Sequence, residues 1–365
     1  MLPVAAALVL GFGVGVEADP LCAEAPEPAR WTADAAPDAA VDRMQLIAHR
    51  GAPKLAPQNT LWAYRYATAY DVDYVEVDVQ QTVDHRYVAF HDLDVSDGTD
   101  GTGYINTMTF DQVRGLNAAA NPTWAGTAYD PSPIPSLEEV LALAAEIGVG
   151  ISFDLKESVT DTASVALLAK QYGMLDRSIF QPYVPGRAEQ IKAVAPQARM
   201  MLSNQVFAEL PEGAPRGAFY AATKEYDLFG SSLPGFDAGR VNEAHDGCAQ
   251  VIPNVYQGDV TGSEVGDLRH ARALGADGAQ VERVDEVVAA LGRPVATLLM
   301  PSAGAVCLLD AEHRQGLPGK TLTLGNGTAV VTGVGGCVEG ATGRVRFAGD
   351  GSSLSSTTVV SRRTS

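Results

Sequence analysis

Between residues 44 and 293 the chain alternates short apolar runs with longer stretches that carry apolar residues at helical spacing. The runs predict strands at 46–50, 74–79, 151–156, 178–183, 199–203, 226–231, 249–255 and 278–282, with an extra return strand at 87–91. Within 74–79 (YVEVDV) the alternation has the two-residue period of a strand. Among the helical patterns, Ser136-Leu137-Glu138-Glu139 reads as a capping box opening a helix that continues toward Glu146. Such strand and helix alternation belongs to the α/β class and is what a barrel of this size requires. From about Arg293 onward the pattern changes to runs at 305–309, 321–324, 328–331 and 344–347 separated by Gly-rich turns, a small C-terminal β domain. Its plain role is a stabilising appendage; its sharper one is binding of a cell-surface polymer or carbohydrate.

The candidate chemistry lies in one stretch. His49-Arg50-Gly51, Glu76-Val77-Asp78 and His91-Asp92 follow in order, and they use two of only 6 histidines in 365 residues. Strand geometry projects Glu76 and Asp78 from one face, about 7 Å apart, close enough to share a cation. The 87–91 run follows too soon for a parallel crossover and must fold back antiparallel. Centring its turn between Asp84 and His85 pairs position 78 with position 91 and brings His91 beside Asp78. The first strand delivers His49 and Arg50 at its C-terminal end, where α/β enzymes gather catalytic groups. Paired carboxylates without nearby Cys suit a hard divalent cation, Ca2+ or Mg2+, rather than zinc. Two histidines beside it can divide the proton work of phosphoryl transfer. Arg50 offers a charged fork for phosphate oxygens. On 151–156 (ISFDLK), Asp154 and Lys156 share a face and read as a third ligand and a second phosphate contact.

In order and spacing these residues resemble the glycerophosphodiester phosphodiesterase family, whose pattern is HRG, PENT, ExD, HD and a strand ending in ExK. The resemblance covers roughly 44–293 and implies a TIM-type (β/α)8 barrel, one divalent ion, and hydrolysis of small glycerophosphodiesters to an alcohol and glycerol 3-phosphate. It implies His49 and His91 as general acid and base, Glu76, Asp78 and Asp154 as metal ligands, and Arg50 and Lys156 as phosphate contacts. It also implies attack by the neighbouring glycerol hydroxyl, giving a cyclic phosphate that water opens. Three departures stand out. Gln58 replaces the carboxylate of PENT, Asp154 is one methylene shorter than the usual Glu, and 249–255 (AQVIPNV) lacks the family's Trp. Two other readings remain: phospholipase D-like cleavage of lysolipids or sphingolipids on the same barrel, and a secreted binding protein without catalysis.

A net charge of -18 and the lack of any basic run exclude a nucleic-acid partner. Residues 3–16 are apolar but too short to span a bilayer, and Val16-Glu17-Ala18 offers a cleavage site. The expected organisation is a signal peptide (1–18), a flexible leader (19–42), the barrel (43–293) and the β domain (294–365), secreted or extracytoplasmic, with no transmembrane segment in the mature chain. Four cysteines, Cys22, Cys248, Cys307 and Cys337, allow three pairings, with Cys307 to Cys337 favoured. Residues 92–135 are long for a loop and suggest either a lid-like insertion or an ordinary surface excursion. The Trp62-Ala63-Tyr64-Arg65-Tyr66 segment reads as the packed face of the first barrel helix, and His245-Asp246 as a surface loop.

Overall fold

The computed structural model describes residues 44–291 except 71, 128, 185, 203–226, 231 and 247–248, and beyond 291 only short strands. Strands β1 (Gln45–Ala48) and β2 (Tyr74–Gln81) are parallel, and β3 (Tyr87–Ala89) turns back antiparallel on β2. Then come β4 (Gly150–Leu155), β5 (Ser178–Pro182), β6 (Arg199–Leu202), β7 (Leu228–Phe229), β8 (Gln250–Val251) and β9 (Gly278–Val281). The sheet order is β8-β7-β6-β5-β4-β2-β1-β9 with β3 outside the path. Past β8, Asn254 bridges to Gln280, whose N–H donates to the Pro253 carbonyl at 2.9 Å. That contact closes the ring, and the fold is a TIM-type barrel.

Helices α1 (Leu61–Ala69), α3 (Leu137–Ile147), α4 (Thr162–Gln171), α5 (Arg187–Val194), α6 (Ala238–Asp246), α7 (Glu264–Leu274) and α8 (Val284–Ala290) follow strands in turn. The predicted capping box opens α3: Ser136 Oγ accepts from Glu139 N at 3.1 Å and Glu139 Oε2 accepts from Ser136 N at 2.8 Å. The two-residue period sorts each strand by environment. Val75, Val77, Val79, Ile151, Phe153 and Leu155 join the helices in the main core, each worth about 1.5–3 kcal/mol of burial. Ile47, Tyr74, Ile179, Met201, Leu228 and Ile252 form a second cluster drawn from six different strand segments. Register places Glu76 beside Ser152 and Asp78 beside Asp154.

The hairpin corrects the expected register. Val79 pairs with Ala89 and Gln81 with Tyr87, and Phe90 N donates to the Asp78 carbonyl, so position 78 faces 90 rather than 91. The cause is His85, whose left-handed φ of 60° adds a third residue to the loop. Thr82 N donates to the Arg86 carbonyl at 2.9 Å, and Thr82 Oγ1 accepts from Arg86 N at 3.0 Å. A one-residue slip exchanges the faces of a strand. His91 is therefore placed by the chain beyond β3, where its carbonyl accepts from Gln80 Nε2 at 2.9 Å.

Residues 92–135 pack as a layer on the hairpin, and include α2 (Phe110–Arg114). Val95, Ile105, Val113 and Ile134 form an apolar cluster with Val88 and Phe90 of the hairpin. His245-Asp246 ends α6 and is not a loop. Beyond 291, strands pair antiparallel, 305–307 with both 300–302 and 337–339, 296–298 with 344–347, and 321–324 with 327–330. This register sets positions 307 and 337 opposite each other. Cys22 and Cys248, the leader and the signal segment lie outside the described residues. No helix among the described residues is long and apolar enough to cross a membrane.

Candidate active site

The C-terminal end of β1 turns sharply through Arg50 and Gly51, both left-handed with φ of 53° and 83°. Gly51 has no alternative, because a Cβ there would lie 2.7 Å from the Ala63 carbonyl carbon. The turn aims the Arg50 N–H at Glu76 Oε2, 2.6 Å away, and sends its guanidinium to Gln58 Oε1 at 2.9 Å and to within 3.4 Å of Asp78 Oδ2. Asn59, also left-handed, clamps Asp78. Its Nδ2 donates to Asp78 Oδ2 at 2.6 Å, while its Oδ1 accepts from the Tyr64 hydroxyl at 2.8 Å. Thr60 then caps α1, accepting from Ala63 N at 3.3 Å.

Glu76, Asp78 and Asp154 are all buried and offer oxygens lying within 4.8 Å of one another. Lys156 Nζ bridges Asp78 Oδ1 at 2.6 Å and Asp154 Oδ2 at 2.9 Å. The three acids respond differently to their common setting. Burial, with the charges of Asp78 and Asp154 behind it, pushes the Glu76 carboxyl well above its ordinary value. Burial also opposes ionisation of Asp78, but the Lys156 and Arg50 charges outweigh it and hold that carboxyl low. Asp154 is pushed up by burial to about 6. Its Oδ2 accepts from Lys156 and from the Tyr183 hydroxyl at 2.9 Å, whereas its Oδ1 is buried without a hydrogen-bond partner. A cluster of oxygens that its own cations leave partly unsatisfied fits a hard divalent ion.

The two imidazoles differ in exposure. His49 is buried and stacks on Tyr256 with ring centroids 4.2 Å apart and planes within 6°. Its Nδ1 meets Glu282 Oε1 at 3.1 Å, and Lys54 Nζ holds the other oxygen of Glu282 at 2.5 Å. Burial lowers the His49 pKa more than Glu282 raises it. Glu282 itself is held down to about 2, because hydrogen bonds from His49 and Lys54 overcome its burial. An ionised carboxylate only accepts, so a neutral His49 donates Nδ1–H to it and presents a bare Nε2. His91 is half-buried, with Nδ1 2.7 Å from Asp92 Oδ1. Both rings lie close enough to Asp78 for their charges to lower its carboxyl pKa.

The fold thus assembles, at one end of a barrel, every residue singled out from the sequence: His49, Arg50, Glu76, Asp78, His91, Asp154 and Lys156. Residues 49–193 match the glycerophosphoryl diester phosphodiesterase family. Over that stretch the chain is similar to this family. The human glycerophosphodiester phosphodiesterase 1 is 42% identical over 115 residues, which are 32% of this chain and 34% of that protein. A glycerophosphodiester phosphodiesterase of Caldanaerobacter subterraneus is 27% identical over 44% of this chain and 66% of its own length. The chain thus spans only about a third of the human relative's length. Among solved structures, an Oleispira antarctica phosphodiesterase in complex with the product sn-glycerol-3-phosphate superposes with a TM-score of 0.59, 22% identity, and coverage of 68% of this chain and 96% of that one. A glycerophosphodiester phosphodiesterase from Agrobacterium tumefaciens gives 0.56 and 20%, covering 67% and 99%. At these identities the likeness establishes the barrel.

Several residues of the site were not evident from the sequence. Glu282 and Tyr256 stand at the ends of the last two strand segments, more than 200 residues from the His49 they support. Their signal was position alone, an acid and an aromatic at C-terminal strand ends. Tyr256 also gives the family-type site an aromatic ring one residue past the Trp-free 249–255 stretch. Asn59 was visible within the PENT-like motif, but its clamp on Asp78 was not. Glu264, buried at the start of α7, accepts from the backbone N–H of Glu282 at 2.6 Å and of Arg283 at 3.0 Å, fixing the segment that carries Glu282.

Proposed function

We propose that this protein hydrolyses glycerophosphodiesters to an alcohol and glycerol 3-phosphate, in a reaction that depends on one divalent cation, Ca2+ or Mg2+. The carrying observation is the buried Glu76, Asp78 and Asp154 cluster, with His49 and His91 both near enough to act on Asp78. The family match and the product-bound neighbour support the reading. In it His49, neutral and oriented by Glu282, takes the proton of the substrate's free glycerol hydroxyl through Nε2. That oxygen bonds to phosphorus as the bond from phosphorus to the alcohol oxygen breaks, and His91 gives the departing oxygen a proton. The cyclic phosphate is then opened by water with the two proton roles exchanged. Arg50 and Lys156 bind phosphate oxygens, Arg50 through the guanidinium that Gln58 and Asp78 orient. Glu76, Asp78 and Asp154 would hold the ion, which when bound would supply positive charge to offset that of the phosphate.

Export from the cytoplasm belongs to the same proposal, supported by the apolar 3–16 segment and its Ala18 site. A Cys307 to Cys337 disulfide is supported by the strand register that sets these positions opposite. The test is release of glycerol 3-phosphate from glycerophosphocholine and glycerophosphoglycerol, with lysophosphatidylcholine alongside, before and after chelation and on return of Mg2+ or Ca2+. Chelator-sensitive release from the two water-soluble diesters is expected. No turnover in any condition overturns the proposal, and turnover of the lysolipid alone moves it to the phospholipase D-like reading.

A further inference from the structure

We infer that Tyr183 is a positioning residue that makes the short carboxylate of Asp154 a cation ligand; this rests on the cation reading above. Asp154 has one methylene less than a Glu, so it has little reach, and its orientation decides which oxygen the cluster receives. One oxygen is already taken. Oδ2 accepts from Lys156 Nζ and from the Tyr183 hydroxyl, each at 2.9 Å, and Oδ1 is left buried and without a hydrogen-bond partner.

The two donors on Oδ2 are not equivalent. Lys156 also holds Asp78 Oδ1 at 2.6 Å, and its ammonium sits on a flexible stem that substrate phosphate can draw away. Tyr183 is fixed. Its hydroxyl accepts from Gln181 Nε2 at 3.3 Å, which commits its own hydrogen to Asp154. When Lys156 turns toward a phosphate, Tyr183 is the contact that still holds Oδ2 and so fixes the carboxylate, leaving Oδ1 for a cation. Partners of this kind behind a metal ligand typically change metal affinity by 10–100-fold when removed.

The test is calorimetric titration of Ca2+ and of Mg2+ into the wild type, Tyr183→Phe, Asp154→Glu and the double variant, with thermal midpoints to confirm folding. Tyr183→Phe should bind the preferred ion roughly 10–100-fold more weakly with its fold retained. In the Asp154→Glu background, where the longer side chain no longer depends on one oriented oxygen, removing the hydroxyl should cost less than about threefold. Wild-type affinity in Tyr183→Phe overturns the inference, and so does an equal loss in both backgrounds, which would mark the hydroxyl as a merely structural contact. A wild type that binds neither ion defeats the cation reading itself, and this inference with it.

Discussion

The two ends of the barrel use the same residue type for opposite purposes. At the N-terminal end, Asp73, Asp227 and Asp277 each precede a strand and accept a backbone N–H of the neighbouring one: Leu46 N at 2.8 Å, Met200 N at 2.8 Å and Val251 N at 2.7 Å. These carboxylates satisfy strand ends that would otherwise keep an unpaired donor. Asp227 and Asp277 keep 47% and 30% of their side chains exposed, so the arrangement costs little desolvation. At the C-terminal end, Glu76, Asp78 and Asp154 are buried side by side and only partly offset by Lys156 and Arg50. One end spends acids on holding the ring together. The other concentrates them where folding alone would disfavour it, which marks a site kept for binding and chemistry.

The comparison predicts that rim variants lose function while base variants lose stability. The largest effect is expected for His91→Ala, a half-exposed ring whose loss should lower kcat by roughly 10²–10⁴-fold with an unchanged thermal midpoint. Steady-state turnover of glycerophosphocholine checks it, and wild-type kcat would remove His91 from the chemistry. Next comes Asp227→Ala, which strands the Met200 N–H and should cost about 1–3 kcal/mol of stability, read as a fall in denaturation midpoint at constant kcat. A lower kcat in the surviving folded enzyme would erase the division between the two ends.

Glu282→Gln sharpens the rim. Glu282 raises the His49 pKa, so its removal lets burial lower that pKa further, and the acidic limb of kcat/KM should move to lower pH. An unmoved limb, or one displaced to higher pH, would separate His49 from the observed proton transfer. Smallest is Gln58→Glu, which restores the family's carboxylate and gives Arg50 a competing partner. KM should rise by no more than about fivefold with kcat unchanged, the scale of a partly exposed ion pair.

Much of this architecture was legible from period and spacing. The alternation in 74–79 and 151–156 was enough to place Glu76 with Asp78, and Asp154 with Lys156, on one face of each strand, and the structure brings the four together. What stayed hidden has physical causes. The hairpin slipped by one because nothing in Asp84-His85 announces a left-handed His85. Glu282 and Tyr256 reach His49 only through ring closure, which no local pattern encodes. Strands β7 and β8 keep only two ladder residues each, so their longer predicted runs overstate them. His245 reads as a loop residue beside Asp246, yet it closes a helix and meets Asp277 Oδ2 at 2.8 Å.

The central claim is that the rim acids are held together at a cost to the fold, and Glu76→Gln tests it most directly. The Glu76 carboxyl is raised in the fold, so its stabilising share is complete below its ordinary value and is lost as pH rises through the folded value. The amide keeps an acceptor for Arg50 N and removes that loss. Thermal midpoints at pH 7 with and without Ca2+ or Mg2+ should show the variant above the cation-free wild type and unmoved by either ion, whereas the wild type rises with one of them. The advantage should vanish below about pH 4. A variant destabilised at pH 7 as Asp227→Ala is, or still stabilised by the ion, would contradict the account.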